Sequence, residues 1–365
     1  MSTDARYMAL ALSLGRRGQG NTWPNPAVGC VVVRDGRIVG RGWTQPGGRP
    51  HAEVVALAEA GALARGATAY VTLEPCAHTG KTPPCASALI DAGIARVVAA
   101  IEDSDPRVSG KGFAMLRDAG ITVVTGVLAA EAAQDLAGFF QRVETGRPFV
   151  TLKLANSFDG RIATATGESQ WITSPEARRY VHALRANHDA VMVGAGTARA
   201  DDPSLTVRDL GVTRQPVRVV LSRRLDVPLM SKLARTAREV PVWICHGPEL
   251  DPLLRRSWQE LGAELISCPL SQGQIDPAAA LWALGERGLT RVFCEGGGAL
   301  AAALLAHDLV DELIGFTAGV AIGAEGLPGI GAMGLERLAE APRYRLVETR
   351  AIGGDVLHRW RRGTG

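Results

Sequence analysis

The chain has 365 residues, 46% of them hydrophobic and 21% charged, which is ordinary globular usage and excludes a disordered chain. At about 100–200 residues per domain, the length predicts two domains. The net charge is +3, and the 40 basic residues (36 Arg and 4 Lys) are interspersed with 37 acidic ones, so no basic stripe marks a nucleic-acid partner.

In chain order, Met8 and Leu12 recur at helical spacing, which predicts an amphipathic first helix capped near Thr3 or Asp4. The apolar stretch from Met8 to Leu14 is too short for a secretory signal, and Asp4 precedes it. No uncharged apolar run reaches the about 18 residues of a membrane span. We therefore expect a cytoplasmic chain without a membrane partner. Val28–Val33 reads as a strand, Asp35-Gly36 as a hairpin turn and Arg37–Gly40 as the return strand. A helix is predicted from near His51 to Gly61, then a strand over Ala67–Leu73, a helix over Cys85–Ala92 ended by Gly93, and a strand over Arg96–Ile101. Gly112–Ala119, Ile121–Thr125 and Ala129–Val143 continue as helix, strand and helix. This βαβα order favours a sheet with helices on both faces.

Thr145-Gly146-Arg147-Pro148 punctuates the chain and divides it into domains 1–146 and 147–365. A second α/β series follows. Its predicted strands are Phe149–Ala155, Ala190–Gly194, Val217–Leu221, Val240–Cys245, Glu264–Cys268, Arg291–Cys294 and Glu312–Thr317. Its predicted helices are Pro175–Ala186, Asp251–Leu261, Pro277–Arg287 and Ala299–Ala306, with Tyr344–Thr349 and Asp355–Trp360 as a closing hairpin.

Six cysteines in 365 residues are no disulfide framework. Cys30, Cys245 and Cys268 read as small buried hydrophobes. Cys76 and Cys85 belong to the strongest chemical signal of the chain: His51-Ala52-Glu53, then Pro75-Cys76, then Cys85. One imidazole and two thiolates supply three positions of a tetrahedral zinc site, leaving the fourth open to water, whose pKa falls toward neutrality. Glu53 is the proton carrier that is not a ligand. On a regular helix His51 and Glu53 diverge, so the helix must begin just there. His-x-Glu followed by Pro-Cys is a signature of zinc nucleobase deaminases. A structural zinc closed by a further ligand such as His78 is the alternative, and it leaves Glu53 unexplained.

The cysteines are separated by eight residues, and the run Pro75-Cys76-Ala77-His78-Thr79-Gly80-Lys81-Thr82-Pro83-Pro84-Cys85 resembles the deaminase half of the bifunctional riboflavin-pathway deaminase–reductase family. Asn25-Pro26-Ala27-Val28-Gly29 resembles it too. The resemblance implies zinc on His51, Cys76 and Cys85, Glu53 as proton shuttle, and substrate contacts from Asn25, His78 and Lys81. Asn25 also suits a plain turn before Pro26. Where the family commonly has a His seven residues before the zinc His, this chain has Thr44, which puts one substrate contact in doubt.

In the second half, Gly194-Ala195-Gly196-Thr197-Ala198-Arg199 lacks the third Gly of a dinucleotide fingerprint. Glu295-Gly296-Gly297-Gly298 follows a predicted strand and opens a helix, a place where free amides and the helix dipole hold pyrophosphate. The runs 153–163, 167–172, 193–197, 200–203 and 294–297 resemble the reductase half of the same family. The implied fold class is α/β: an N-terminal cytidine-deaminase-like three-layer αβα domain plus a C-terminal dihydrofolate-reductase-like domain. NADPH is then expected on Ala155, Trp171, Thr197, Asp201, Ser222, Gly297, Gly298, Ala299 and Leu300. The phosphosugar is expected on Ser169, Arg185, Leu205, Arg208 and Glu295. Arg185 and Arg208 suit a phosphate through bidentate hydrogen bonds. Asp201 is the expected proton-handling residue, or else a turn cap, and Arg223 and Arg224 are candidates for the 2′-phosphate of NADPH. The resemblance implies zinc and NADPH as cofactors, a homo-oligomer, and the riboflavin-pathway activities: hydrolytic deamination of 2,5-diamino-6-ribosylamino-4(3H)-pyrimidinone 5′-phosphate, then reduction of its ribosyl group. A nucleic-acid deaminase and a zinc-stabilised scaffold without catalysis are the rival readings.

Overall fold

The computed structural model describes residues 2–80, 83–106 and 108–363. The chain divides between Gly146 and Arg147 into two compact units. No helix among the described residues is long and apolar enough to cross a membrane.

The first unit runs α1 (Thr3–Gly15), β1 (Gly29–Arg34), β2 (Arg37–Trp43), α2 (Ala52–Ala60), β3 (Thr68–Val71), α3 (Cys85–Asp91), β4 (Arg96–Ala99), α4 (Lys111–Asp118), β5 (Thr122–Val124) and α5 (Ala129–Thr145). The sheet order is β2-β1-β3-β4-β5. β1 is antiparallel to β2 and β3, whereas β3, β4 and β5 are parallel. The two-residue turn predicted between β1 and β2 forms, with Asp35 at φ 49° and Gly36 at φ 73°, the left-handed pair such a hairpin requires.

Strand periodicity sorts the core into two layers. Cys30 and Val32, Ala69 and Val71, and Val97 and Ala99 pack with Ala52 and Ala56 of α2, Leu89 of α3 and Leu116 of α4. The alternate residues Val31, Val33, Tyr70 and Val98 pack with Met8, Ala11 and Leu12 of α1 and Ala132 of α5. This is the three-layer arrangement: a sheet buried on both faces reads as continuous apolar runs. α2 lies directly on the hairpin, because a Cβ at Gly40 or Gly42 would stand 2.1 Å from the carbonyl oxygens of Ala56 and Ala52. The first helix is capped one residue earlier than expected. The Ser2 hydroxyl accepts from the Ala5 amide at 3.2 Å, while Asp4 is drawn away to the Arg96 guanidinium at 2.7 Å and the Tyr70 hydroxyl at 2.9 Å.

The second unit runs β6 (Phe149–Ser157), β7 (Arg161–Ala163), α6 (Pro175–Ala186), β8 (Ala190–Gly194), α7 (Ala195–Asp201), β9 (Val217–Leu221), α8 (Lys232–Arg235), β10 (Val242–His246), α9 (Pro252–Glu260) and β11 (Glu264–Ser267). It continues with β12 (Leu270–Ser271), β13 (Gln274–Ile275), α10 (Pro277–Glu286), β14 (Arg291–Cys294), α11 (Gly298–Ala306), β15 (Glu312–Ala318), β16 (Leu327–Pro328), β17 (Tyr344–Ile352) and β18 (Asp355–Arg362). Its large sheet has the order β11-β10-β9-β8-β14-β6-β15-β18-β17. The pairs from β11 to β15 are parallel, and β18 and β17 close the sheet antiparallel. In such sheets ligands sit beyond the carboxyl ends of the parallel strands. Glu295 follows β14 there, Ser222 follows β9, and α7 starts directly after β8. The short elements α7 and β7 were not expected from the sequence; so few residues carry little periodicity of their own.

Two candidate catalytic centres

The first centre forms where α2 and α3 begin. His51 is the N-cap of α2 and has extended backbone at φ −71° and ψ 160°, outside the helix. Its ring is therefore free of the helical 100° rotation that separates side chains two residues apart, and it shares a site with Glu53. Glu53 is 4% exposed. Cys85 is the first residue of α3, and its amide donates to the Cys76 sulfur at 3.3 Å. His51 Nδ1 stands 3.2 Å from Cys85 Sγ and 3.8 Å from Cys76 Sγ. The three donor atoms lie within 4.8 Å of one another, and no further His, Cys, Asp or Glu joins them among the described residues.

The electrostatics suit a cation. Hydrogen bonding from Cys85 brings the Cys76 thiol down to about 4 against the effect of burial, with His51 assisting. Burial lifts the Glu53 carboxyl above the usual carboxylate range, and the neighbouring Cys76 charge adds to it, while His51 opposes. One nitrogen and two sulfurs, with one thiol already inclined to ionise, match the soft donor set of a catalytic zinc with three protein ligands.

Of the residues expected around this centre, Asn25 is in place. Its amide nitrogen lies 2.8 Å from the Gly48 carbonyl and 3.5 Å from His51 Nε2. His78 is exposed and stands outside the donor cluster. Lys81 lies outside the described residues. Thr44 is buried, and its hydroxyl accepts from the Val28 amide at 3.0 Å, so it braces the strand that carries Asn25's loop.

The sequence reading passed over Glu74. It is 3% exposed, and its carboxylate accepts from the amides of Gly112 (2.9 Å), Gly110 (3.0 Å), Phe113 (3.2 Å) and Asp103 (3.3 Å). It thus caps α4 from two residues before Cys76. Gly112 is forced by the same contact, since a Cβ there would stand 1.9 Å from the Pro75 carbonyl oxygen. The signal was in the sequence as an acidic residue inside an apolar strand end, a place where a carboxylate survives only with partners.

The second centre gathers at the carboxyl ends of β6 and β14. Their parallel register sets Leu152 beside Cys294, which brings Lys153 next to Glu295. Glu295 Oε2 is 3.7 Å from Lys153 Nζ, and Glu295 Oε1 is 2.5 Å from Arg185 Nε. Arg185 Nη1 also donates to the Thr206 carbonyl at 2.8 Å. Burial alone would raise the Glu295 carboxyl, but Arg185 and Lys153 outweigh it and hold the group at about 2. Burial also pulls the Lys153 ammonium below its ordinary value, against the attraction of Glu295. Lys153 was not among the expected site residues; only the register of β6 against β14 exposes its role.

Gly297 is the N-cap of α11, no side chain caps that end, and its amide donates to Thr197 Oγ1 at 2.9 Å. The first-turn amides of Gly298, Ala299 and Leu300 thus present an uncapped helix N-terminus, which fits the pyrophosphate of a dinucleotide. Ala155 is half-buried, and Asp201 ends α7. Burial raises the Asp201 carboxyl and the Lys153 charge counters it. Trp171 is 67% exposed and stacks under the Arg178 guanidinium, whose carbon is 4.4 Å from the ring centroid; it is not core. Ser169 is half-buried and Arg208 exposed. The Ser222 hydroxyl is bonded to Asp226 at 2.6 Å, and the Leu205 side chain is core, so the backbone is what Leu205 has left to offer a ligand. Arg223 donates to the Gly273 carbonyl, and Arg224 is exposed.

Comparison with known proteins places both units. Residues 1–101 match the family described as the cytidine and deoxycytidylate deaminase zinc-binding region, and residues 148–358 match the RibD C-terminal domain. The riboflavin biosynthesis protein RibD of Escherichia coli is 45% identical over 97% of this chain and 98% of its own length. The RibD of Aquifex aeolicus is 42% identical, covering 97% of both chains. A crystal form of Acinetobacter baumannii RibD superposes with a TM-score of 0.88 at 38% identity over 99% of each chain. The diaminohydroxyphosphoribosylaminopyrimidine deaminase/5-amino-6-(5-phosphoribosylamino)uracil reductase of Thermotoga maritima superposes at 0.86, with 35% identity over 99% of each chain. The fold is a cytidine-deaminase-like domain followed by a dihydrofolate-reductase-like RibD reductase domain.

Proposed function

The chain belongs to the RibD family of riboflavin biosynthesis proteins, and on that premise we propose that residues 1–146 carry the deaminase and residues 147–365 the reductase. The enzyme is bifunctional: it deaminates the diaminopyrimidine ribosyl phosphate at a zinc centre, then reduces the ribosyl group with NADPH. The observation that carries the reading is the His51, Cys76 and Cys85 cluster with the buried Glu53 carboxyl beside it.

Zinc held by His51, Cys76 and Cys85 supplies the Lewis acidity that makes water nucleophilic near neutral pH. Glu53 takes a proton from the attacking water and delivers it to the departing amine, and its raised pKa suits both halves of that task. Asn25, His78 and Lys81 hold the pyrimidine and its phosphorylated substituent.

NADPH, bound along Ala155, Trp171, Thr197, Asp201, Ser222 and the Gly297–Leu300 turn, supplies the hydride. Ser169, Arg185, Leu205, Arg208 and Glu295 hold the phosphosugar, and the proton that reduction also needs is held by Asp201 with Lys153 beside it. Glu295, ionised between two cations, fixes Lys153 and Arg185 for this task. The free thiols support a reducing, cytoplasmic setting. The exposed edge strand β17, with Leu346 and Val347 outward, supports a homo-oligomer through the second unit. The near-balanced charge supports a small-molecule substrate over nucleic acid.

The test is to incubate the purified protein with the diaminopyrimidine phosphate, with and without NADPH, following ammonia release and NADPH oxidation separately. Ammonia release without NADPH, and NADPH oxidation only after it, is the expected result. NADPH oxidation with no ammonia release, or ammonia release from free cytidine alone, would overturn the assignment.

A further inference from the structure

His182 lies on α6 three residues before Arg185, the spacing that puts two side chains on one helix face. The amide of Arg208 donates to its Nδ1 at 3.3 Å. With Nδ1 accepting, the single proton of the neutral ring sits on Nε2. Burial, then Arg185, then Arg208 lower the pKa of this ring, against Glu295 and a hydrogen bond to the Thr206 backbone. Arg185 grips the same segment from the same helix, donating to the Thr206 carbonyl at 2.8 Å.

The segment between them follows a costly path. Leu205 has φ 53° and Asp209 has φ 61°, both in the region that disfavours side chains. Between these two residues, the amide and carbonyl of Val207 are both bonded to the Gln215 side chain, at 2.7 and 3.1 Å. Three side chains therefore hold residues 206–208 in place, and what this short stretch presents outward is the exposed Arg208 side chain.

We propose that His182 is a positioning residue for the substrate's phosphate, setting Arg208 so that it and Arg185 close on the dianion together. This rests on the reading of the second unit as a phosphosugar reductase. Its selectivity is specific: His182 matters to the phosphate end of the substrate and not to the dinucleotide or to hydride transfer, whose groups lie at Lys153, Asp201 and the α11 turn.

Calorimetry on the full-length protein without NADPH tests this, using 5-amino-6-(5-phosphoribosylamino)uracil and its dephosphorylated counterpart. His182→Ala should weaken the phosphorylated compound about tenfold, the scale of one hydrogen bond to a charged group. It should leave the dephosphorylated compound and NADPH within about twofold of wild type. In turnover, KM should rise while kcat at saturation stays within about threefold. His182→Asn keeps an acceptor near the Nδ1 position and should recover most of the loss, whereas His182→Leu should not; this pair carries the test if the alanine variant fails to fold. Equal weakening of both compounds, or no rescue by Asn over Leu, would overturn the inference. Failure of the wild type to bind the phosphorylated compound at all would instead overturn the reductase reading, and the inference with it.

Discussion

The two centres solve the problem of buried charge in opposite ways. In the first, soft donors crowd together, and the nearby Glu53 is pushed toward its neutral form by burial and by Cys76. That arrangement waits for a cation. In the second, Glu295 is ionised at the cost of burial because Lys153 and Arg185 flank it, and the net surplus of positive charge awaits an anion. The difference teaches how one chain hosts hydrolysis and reduction: the first centre gathers donors that a metal would balance, whereas the second balances its buried carboxylate with its own cations.

This contrast can be broken most sharply at Glu53. Glu53→Gln should cut deamination by about 10²–10⁴-fold, the scale of a lost general acid–base, while zinc content and NADPH-dependent reduction persist. Metal analysis and the two separate activity assays check it; near wild-type ammonia release in the variant would refute the role. Next in size, Glu295→Ala leaves Lys153 and Arg185 buried without their partner, and the second unit should lose about 3–5 kcal/mol of stability. Denaturant unfolding measures this, and an unchanged midpoint would contradict the pairing.

The same carboxylate sets a pH dependence. Its folded pKa, about 2, lies below the unfolded value for Glu of about 4.3. Its contribution is therefore fully present above that unfolded value and is lost as pH falls through about 4 to 2. Acid titration of the second unit's unfolding should show this step in wild type and lose it in Glu295→Gln; a step that persists in the variant assigns the acid lability elsewhere. A smaller effect is expected at Glu74, where Glu74→Ala strands four amides and should cost about 1–3 kcal/mol in the first unit. Reduction should survive it, and zinc should leave the variant faster under chelation. Smallest is Thr44→Val, which removes one hydrogen bond to Val28 and should cost about 1 kcal/mol with deamination retained. A large loss of deamination in that variant would mean that Thr44 touches substrate.

How legible these features were depends on how local their causes are. Two of the zinc donors were readable because they sit at helix starts marked by their own neighbours, His51 before an alanine-rich helix and Cys85 after two prolines, and Cys76 by the Pro75-Cys76 pair. Even the requirement that the helix begin at His51 follows from side-chain rotation along a helix, and the extended backbone at His51 meets it. Lys153 was not readable as a site residue because its partner comes from strand register, and at Glu74 the sequence shows a carboxylate in need of partners but not which, since they lie 29–39 residues away. Ser2 was missed as a cap because Asp4 competes on sequence alone and is diverted by Tyr70 and Arg96, 66 and 92 residues on. At Trp171, an aromatic in a polar loop gives no sign in the sequence of which side it faces; it is exposed and stacks with Arg178.

The most direct test of the central claim is zinc X-ray absorption on the fully active, full-length protein. One zinc per chain is predicted, with two sulfurs at about 2.3 Å and a single imidazole, and no further side chain in the shell. A third sulfur, a second imidazole, or full deamination by protein without stoichiometric zinc would contradict the account.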